Sequence, residues 1–568
     1  MIRQALVGLV CIVAGCTASA QAAVVISSDA TQNIRCSGGV CKPTKPHAIM
    51  NVKQLKRMLE HSDVQIVAHS QTFDIAIAAP LSWTSGSRLT VDGYGLVEIE
   101  APVTVAGTGA VSFIDSRTAF AGKGRMTFWD TGSSLVINGT TYILVSSIAQ
   151  LAGAVAANAS GTYALAKNYD AAADGVYSAS PIGTTFTGTF EGLGNSISNL
   201  SIAAPGTGNI GFFSAAYGTV SDFGLPRVSI SVGNASNHYV VVGAITGGGG
   251  VSHSWATGRV TGGNLVNIGG LVGNGGAGNS HFTGRVTGGT GATVGGLVGL
   301  GAAGNSWSAG IVKGGDDAFV GGLVGHGSAS GSHSSATVSA GNAVASDTVV
   351  GGLVGLSFGS ISACYATGSV TVGSGYVYGV WAGGLVGEMD DDLTNSYAIG
   401  TVKAGAHSIA GGLAGTTDNN TVGNFSTGSV SGGRDSEVGG FAGAANGVLT
   451  NNYARGRATG GRDSSVGGFA GFAIGEIDYA YSTGAVSGGK HKGGFAGKSN
   501  SEFTDAYWDT ETAEIDRPLG TGDSSGIMGL TTAQLQARLP NGFDPTVWTQ
   551  KKNLNGGLPY IRGNRPPV

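Results

Sequence analysis

The sequence predicts an all-β chain folded as a right-handed parallel β-helix (a β-solenoid) with short helical caps at its N- and C-terminal ends. Three observations carry this. Glycine supplies 103 of 568 residues, and proline only 13. Charged residues make up 11% of the chain, while 41% are hydrophobic. A glycine-rich block also recurs through the second half at intervals of 26–32 residues. A helical protein is excluded because glycine costs roughly 1 kcal/mol per helical site relative to alanine. Disorder is excluded by the apolar content. Collagen is excluded by the missing Gly-X-Y period and scarce proline. The net charge of −4, with no basic block, argues against a nucleic-acid partner.

Residues 1–22 read as a signal peptide: Arg3, then a short apolar core from Ala5 to Gly15, then the small-residue sites Ala18-Ser19-Ala20 and Ala20-Gln21-Ala22. Val13-Ala14-Gly15-Cys16 offers a second reading, a lipobox that would anchor the chain by a lipid at Cys16. No stretch is long and apolar enough for a transmembrane helix. Both readings place the protein outside the cell, secreted or on the surface. Residues 23–64 form an N-terminal cap. Within it, Cys36 and Cys41 bracket a short loop that could close as a disulfide in an oxidising compartment. Asn51 to His61 has helical spacing, with Val52, Leu55, Met58 and Leu59 on one face. Residues 65–140 are β-helical coils, and 141–240 a lead-in region with a short helix from Ser147 to Ala157. Cys364 is left as a lone thiol and reads as a small packed residue.

The repeat array spans 241–510. Its Gly-Gly-Leu-Val-Gly blocks start at Gly243 (degenerate), Gly269, Gly295, Gly321, Gly351, Gly383, Gly411, Gly439, Gly467 and Gly493. A second block follows each, as in Cys364-Tyr-Ala-Thr-Gly-Ser-Val370. Two short strands per repeat are expected, each stacked on its equivalent in the next coil. A propeller blade needs about 40 residues, so one coil per repeat fits better.

The second block contains an aromatic column: Trp255, His281, Trp307, His333, Tyr365, Tyr397, Phe425, Tyr453, Tyr481 and Tyr507. Five residues further on, Val260, Val286, Val312, Val338, Val370, Val402, Val430, Ala458 and Val486 form a candidate core column. Side chains alternate faces with period two. The aromatics should therefore face outward with Thr257, Thr283, Thr367, Thr427 and Thr483. The eight rings Trp255, Trp307, Tyr365, Tyr397, Phe425, Tyr453, Tyr481 and Tyr507 are the candidate binding stripe for sugars or another protein. The plainer alternative is that they only stiffen the sheet. Residues 511–568 read as a C-terminal cap. A capping box at Thr531 and Gln534 opens a helix to Leu539, and Trp548, Leu558 and Tyr560 are expected to cover the last coil.

These repeats resemble the GLUG motif of bacterial secreted adhesin-like proteins and of some IgA-cleaving peptidases. Phe186 to Leu200 resembles the region that precedes such arrays, and Tyr507-Trp-Asp-Thr-Glu511 their usual end. Leu81 to Val91 and Val97 to Ala106 resemble filamentous-haemagglutinin-type coils. The resemblance implies a bacterial adhesin-like protein that attaches to a host or environmental surface, a glycan or another protein. It does not imply peptidase chemistry here, because no HExxH helix occurs among the ten histidines. The C-terminal residues also lack the alternating strands of an autotransporter barrel.

The alternative function is a carbohydrate-active β-helix enzyme, a polysaccharide lyase or hydrolase. Such chemistry needs carboxylates gathered across coils. Asp390 and Asp418 each lie seven residues after a block's first glycine. In register they would stand about 4.8 Å apart, with Glu388 nearby. They could bind Ca2+ or form a carboxylate pair; the simpler reading is a solvated acidic turn. No basic residue or histidine shares the register. The expectation is therefore a non-enzymatic protein with no cofactor other than that Ca2+.

Overall fold

The computed structural model describes residues 24–68, 75–236, 239–376 and 379–567. The segment 1–22 expected to be a signal peptide, with Cys16, lies outside these residues. The chain divides into two compact units, Met1–Leu144 with Leu193–Asn195, and Val145–Gly192 with Ser196–Val568.

The first unit is built from parallel ladders. One runs through Val64–Ala68, Arg88–Gly93, Ala110–Ile114 and Ser134–Ile137. Another runs through Ala48–Asn51, Val24–Ser27, Ile75–Ile77, Leu96–Ile99 and Arg117–Phe120. A third joins Leu81–Trp83, Pro102–Val105 and Arg125–Phe128. Alternation sends Trp83, Phe113 and Phe128 into the core, where they are fully buried. Cys36 and Cys41 face each other across a tight antiparallel hairpin and are joined as a disulfide. The hairpin turns through Gly38 and Gly39, both at positive φ, as a two-residue turn of this hand requires. Helix α1 (Val52–Leu59) is capped by Asn51, whose side chain accepts from the amides of Lys53 and Gln54, and it buries Leu55 and Leu59.

The second unit contains the glycine-rich array, and each coil holds three strands rather than the expected two. In one coil they are Asn267–Gly269, Val272–Gly278 and His281–Thr287. Stacked coil on coil, they form a first sheet of 11 strands, a second sheet, and a third sheet of 20 strands, many of its later strands being broken in two. The block Gly269-Gly-Leu-Val-Gly273 is not one strand. It ends the first strand, turns a corner at Gly270 and Leu271, and opens the second. A Cβ on Gly269 would strike the Val272 carbonyl and the backbone of the next coil, and one on Gly270 would strike the Phe282 ring. The first strand escapes a pattern search because three residues are too few to show alternation.

Inward columns fill the coils. Val260, Val286, Val312, Val338, Val370, Val402, Val430, Ala458 and Val486 are all buried. So are the corner residues Leu271, Leu297, Leu323, Leu353, Leu385, Leu413, Phe441, Phe469 and Phe495. Burying each such side chain is worth about 1.5–3 kcal/mol.

The corner between the second and third sheets has its own rule. Its first residue sits in the left-handed region, at φ between 48° and 73°, in ten successive coils: His253, Asn279, Asn305, Gly331, Ala363, Asn395, Gly423, Asn451, Tyr479 and Asp505. Its second residue forms a polar ladder. The backbone N–H of Ser254 donates to Ser280 Oγ, that of Ser280 to Ser306, and that of Ser306 to Ser332, at 3.0–3.1 Å. The Ser332 N–H then donates to Cys364 Sγ at 3.4 Å, and the Cys364 N–H to Ser396 Oγ. The chain continues through Asn424 and Asn452. Cys364 thus stands where other coils place a serine. This supplies buried amides that no strand partner satisfies.

Helix α2 (Ile148–Ala157) is capped by Ser147 and buries Ile148, Leu151 and Val155. Helix α3 (Thr532–Ala537) carries both arms of the Thr531–Gln534 capping box. The coil stack continues past residue 510, through Leu519–Thr521 and Ile527–Leu530. Trp548, Leu558 and Tyr560 do not cover the end of the last coil. They fold back along the outer face of the third sheet, as a strap over the aromatic column. That face was an apolar stripe needing cover.

Candidate functional site

The aromatic column projects from the third sheet, away from the core. Rings stack from Trp255 to Tyr481, with centroids 4.3–6.1 Å apart and planes within 11° of parallel. In-register pairing enforces this, since equivalent residues of adjacent coils lie directly side by side. From His281 to Tyr453 each ring has a stacked ring on both faces, while Trp255 at the start of the column has one. Trp307 separates His281 and His333, and burial lowers the pKa of both imidazoles.

The eight stripe residues divide into two groups. Trp255, Trp307, Tyr365 and Tyr397 are half-buried, and of these Tyr397 packs against the strap cluster. Phe425, Tyr453, Tyr481 and Tyr507 are buried beneath the strap with Leu535, Phe543, Trp548, Leu558 and Tyr560. Trp548 stacks on Phe543 at 4.4 Å, and its Nε1 donates to Asn451 Oδ1 at 2.8 Å. Tyr481 donates its hydroxyl proton to the Pro559 carbonyl, and Tyr507 to that of Asn541. Arg455 donates to Asn555 Oδ1. Furthest along, buried Asn564 donates to the carbonyls of Ser396 and Gly423. The stripe thus departs from the expected open binding surface, because stacking takes the ring faces from His281 to Tyr453 and the strap takes its second half.

Open polar and aromatic surface lies elsewhere, in a trough of about 740 Å³ between the outward columns of the first and second sheets. Asn267, Thr293 and Phe319 line one wall, and Asn274, Leu300 and His326 the other. Tyr217, 68% exposed, lies over the bare backbone at Gly248. Phe358 meets His326 edge-on at 4.5 Å, and burial lowers the His326 pKa. Sequence reading missed this trough, because its columns come from two strands per coil, one of them only three residues long. The available signal was the residue two places after the start of each second strand: Asn274, Leu300, His326, Leu356, Glu388 and Thr416.

That same column leads to the predicted acidic pair. Asp390 and Asp418 come together with Glu388, their ligand oxygens all within 4.8 Å of one another. Asp390 and Asp418 are exposed and Glu388 half-buried. Burial, then the negative charges of Asp390, Asp418 and Asp347, push Glu388 up to about 7. Burial and Asp418 also raise the Asp390 pKa. The trio lies outside the trough, which reaches as far as Phe319 and His326.

Fold and repeat together define a glycine-rich parallel β-solenoid. Residues 346–371 match the family model for the GLUG motif. No curated protein matches the sequence. Among solved structures, the chain is similar to a putative immunoglobulin A1 protease from Bacteroides ovatus. That similarity has 14% identity and a TM-score of 0.28, and covers 74% of this chain and 93% of the other.

Proposed function

We propose that this protein is a secreted or surface-exposed attachment solenoid of adhesin type, which binds an extended glycan or surface polymer without cleaving it. The trough carries this reading. It combines the exposed amide of Asn274 with the exposed aromatic rings of Tyr217 and Tyr239, groups that bind sugar hydroxyls and the apolar faces of sugar rings. From His281 to Tyr453 the stacked column has no free ring face for that purpose, and it serves to stiffen the third sheet. The Cys36–Cys41 disulfide and the leader-like first 22 residues support an extracytoplasmic setting.

A screen of the purified mature protein against glycans and cell surfaces tests the proposal. Binding should appear, with no shortening of any polysaccharide. Tyr217→Ala and His326→Ala should each weaken it about tenfold or more, as loss of a contact worth roughly 1.4 kcal/mol would. Tyr397→Ala should leave it unchanged. Polysaccharide cleavage, or binding indifferent to the trough substitutions, would refute the reading.

A further inference from the structure

Glu388, Asp390 and Asp418 bring three carboxylates from two adjacent coils within 4.8 Å of one another. Glu388 and Thr416 are direct partners in the parallel ladder of the second sheet, and Met389 pairs with Thr417. Met389 and Thr417 point inward and are fully buried. Alternation then places Glu388 and Thr416 on the outward face, and Asp390 and Asp418 follow directly after the ends of these two strands, in adjacent coils. The charges acting on Glu388 are Asp390, Asp418 and Asp347, all negative. Neutral amides fix the surroundings: Asn446 Nδ2 donates to Asp418 Oδ1 at 2.6 Å, and the Asn419 side-chain amide donates to the Asp390 carbonyl.

An independent observation comes from Thr416. It is only 6% exposed, and its Oγ1 is enclosed with no hydrogen-bond partner. Thr416 stands across the ladder from Glu388 and two residues before Asp418. Buried hydroxyls seldom go unpaired in native structures; Thr417 and Thr421 in the same coil are also enclosed and unpaired, but of the three only Thr416 pairs with a residue of the acidic trio. Asn446 Oδ1, beside Asp418, is likewise enclosed and unpaired. Three carboxylates and neutral oxygens, with no sulfur or imidazole, are the donor set of a hard cation. An open outer side leaves room for water ligands, which suits the high and flexible coordination number of calcium.

We propose that Glu388, Asp390 and Asp418, together with Thr416 Oγ1, bind a calcium ion that ties two adjacent coils together. The site is independent of the trough and of the proposed attachment role. Bound calcium would neutralise repulsion built into the array and give Thr416 its missing partner.

The test is calorimetric titration of the full mature chain with calcium chloride after chelator treatment, alongside melting with and without calcium. One ion per chain should bind, and the melting temperature should rise. Glu388→Gln and Asp418→Asn should each weaken binding at least about tenfold, since each removes a charged ligand. Both should also raise the calcium-free melting temperature, because they relieve repulsion, and abolish the calcium-induced rise. Thr416→Val, of nearly the same shape, keeps the fold and should weaken binding several-fold. No calcium binding by the wild type, or binding and stabilisation that persist in the carboxylate variants, would overturn the proposal.

Discussion

Replacing Trp548 with alanine should release the strap while leaving the coils folded. The indole is fully buried and packs against Phe543, Tyr453 and Tyr481, with ring centroids 4.4, 6.1 and 5.9 Å away. Truncating a buried tryptophan costs about 3–5 kcal/mol. The lost bond from Nε1 to Asn451 adds about 1 kcal/mol. None of this comes from the coil interior, because the strap cluster is separate from the valine and leucine columns. Even the lower end of this sum, roughly 4 kcal/mol, multiplies the open population by about a thousand. Lys551 and Lys552 are exposed within the strap, so trypsin reports its opening. Cleavage there should accelerate by two to three orders of magnitude, about as the open population does when opening is fast. The far-UV β signal should stay constant. Unchanged cleavage would show that Trp548 does not hold the strap. Loss of the β signal in step with cleavage would show that strap and coils unfold as one unit.

Two further outcomes follow from buried groups. Cys364→Ser should change stability by no more than about 1 kcal/mol, since serine is the ladder's usual residue there. Burial pushes the Cys364 thiol up to about 12, so a thiol reagent should label the wild type only on unfolding; rapid labelling of the native protein would refute its placement. Burial also raises Glu437 from its ordinary 4.5 to about 7, with Lys498 opposing the shift. The folded state therefore favours the neutral acid, and its contribution is full below pH 4.5 and is lost as the pH rises through about 7. Denaturation at pH 5 and pH 8 should show a smaller difference for Glu437→Gln than for wild type, and an equal difference would refute this.

Much of the fold is legible in the residues themselves. The spacing of Gly-Gly-Leu-Val-Gly specifies the coil, because identical strands stacked in register bury a column only if the period is kept. The valines five residues after each aromatic mark the inner face through simple alternation. The cap residues Asn51, Ser147 and Thr531 announce their helices by local hydrogen bonding. The left-handed corner carries asparagine or glycine in several coils, yet Ala363 and Tyr479 occupy it without such a preference. There the neighbouring coils, not the residue, set the backbone.

The candidate sites were less legible. Asp390 and Asp418 were placed together by counting from the glycines, since register converts equal offsets into proximity. Thr416 carried no signal, because its importance lies in a hydrogen bond that is missing. The trough depends on which outward columns meet across a corner, and no single strand encodes that. The strap shows the same division. The sequence reading placed Trp548, Leu558 and Tyr560 over the last coil. Only the tertiary structure decided that they cover the aromatic column rather than the last coil. Local sequence determines a strand's faces and period, because these are set by neighbours one to five residues away. Which exposed face a distant segment buries is set by the largest apolar surface still uncovered once the coils have stacked.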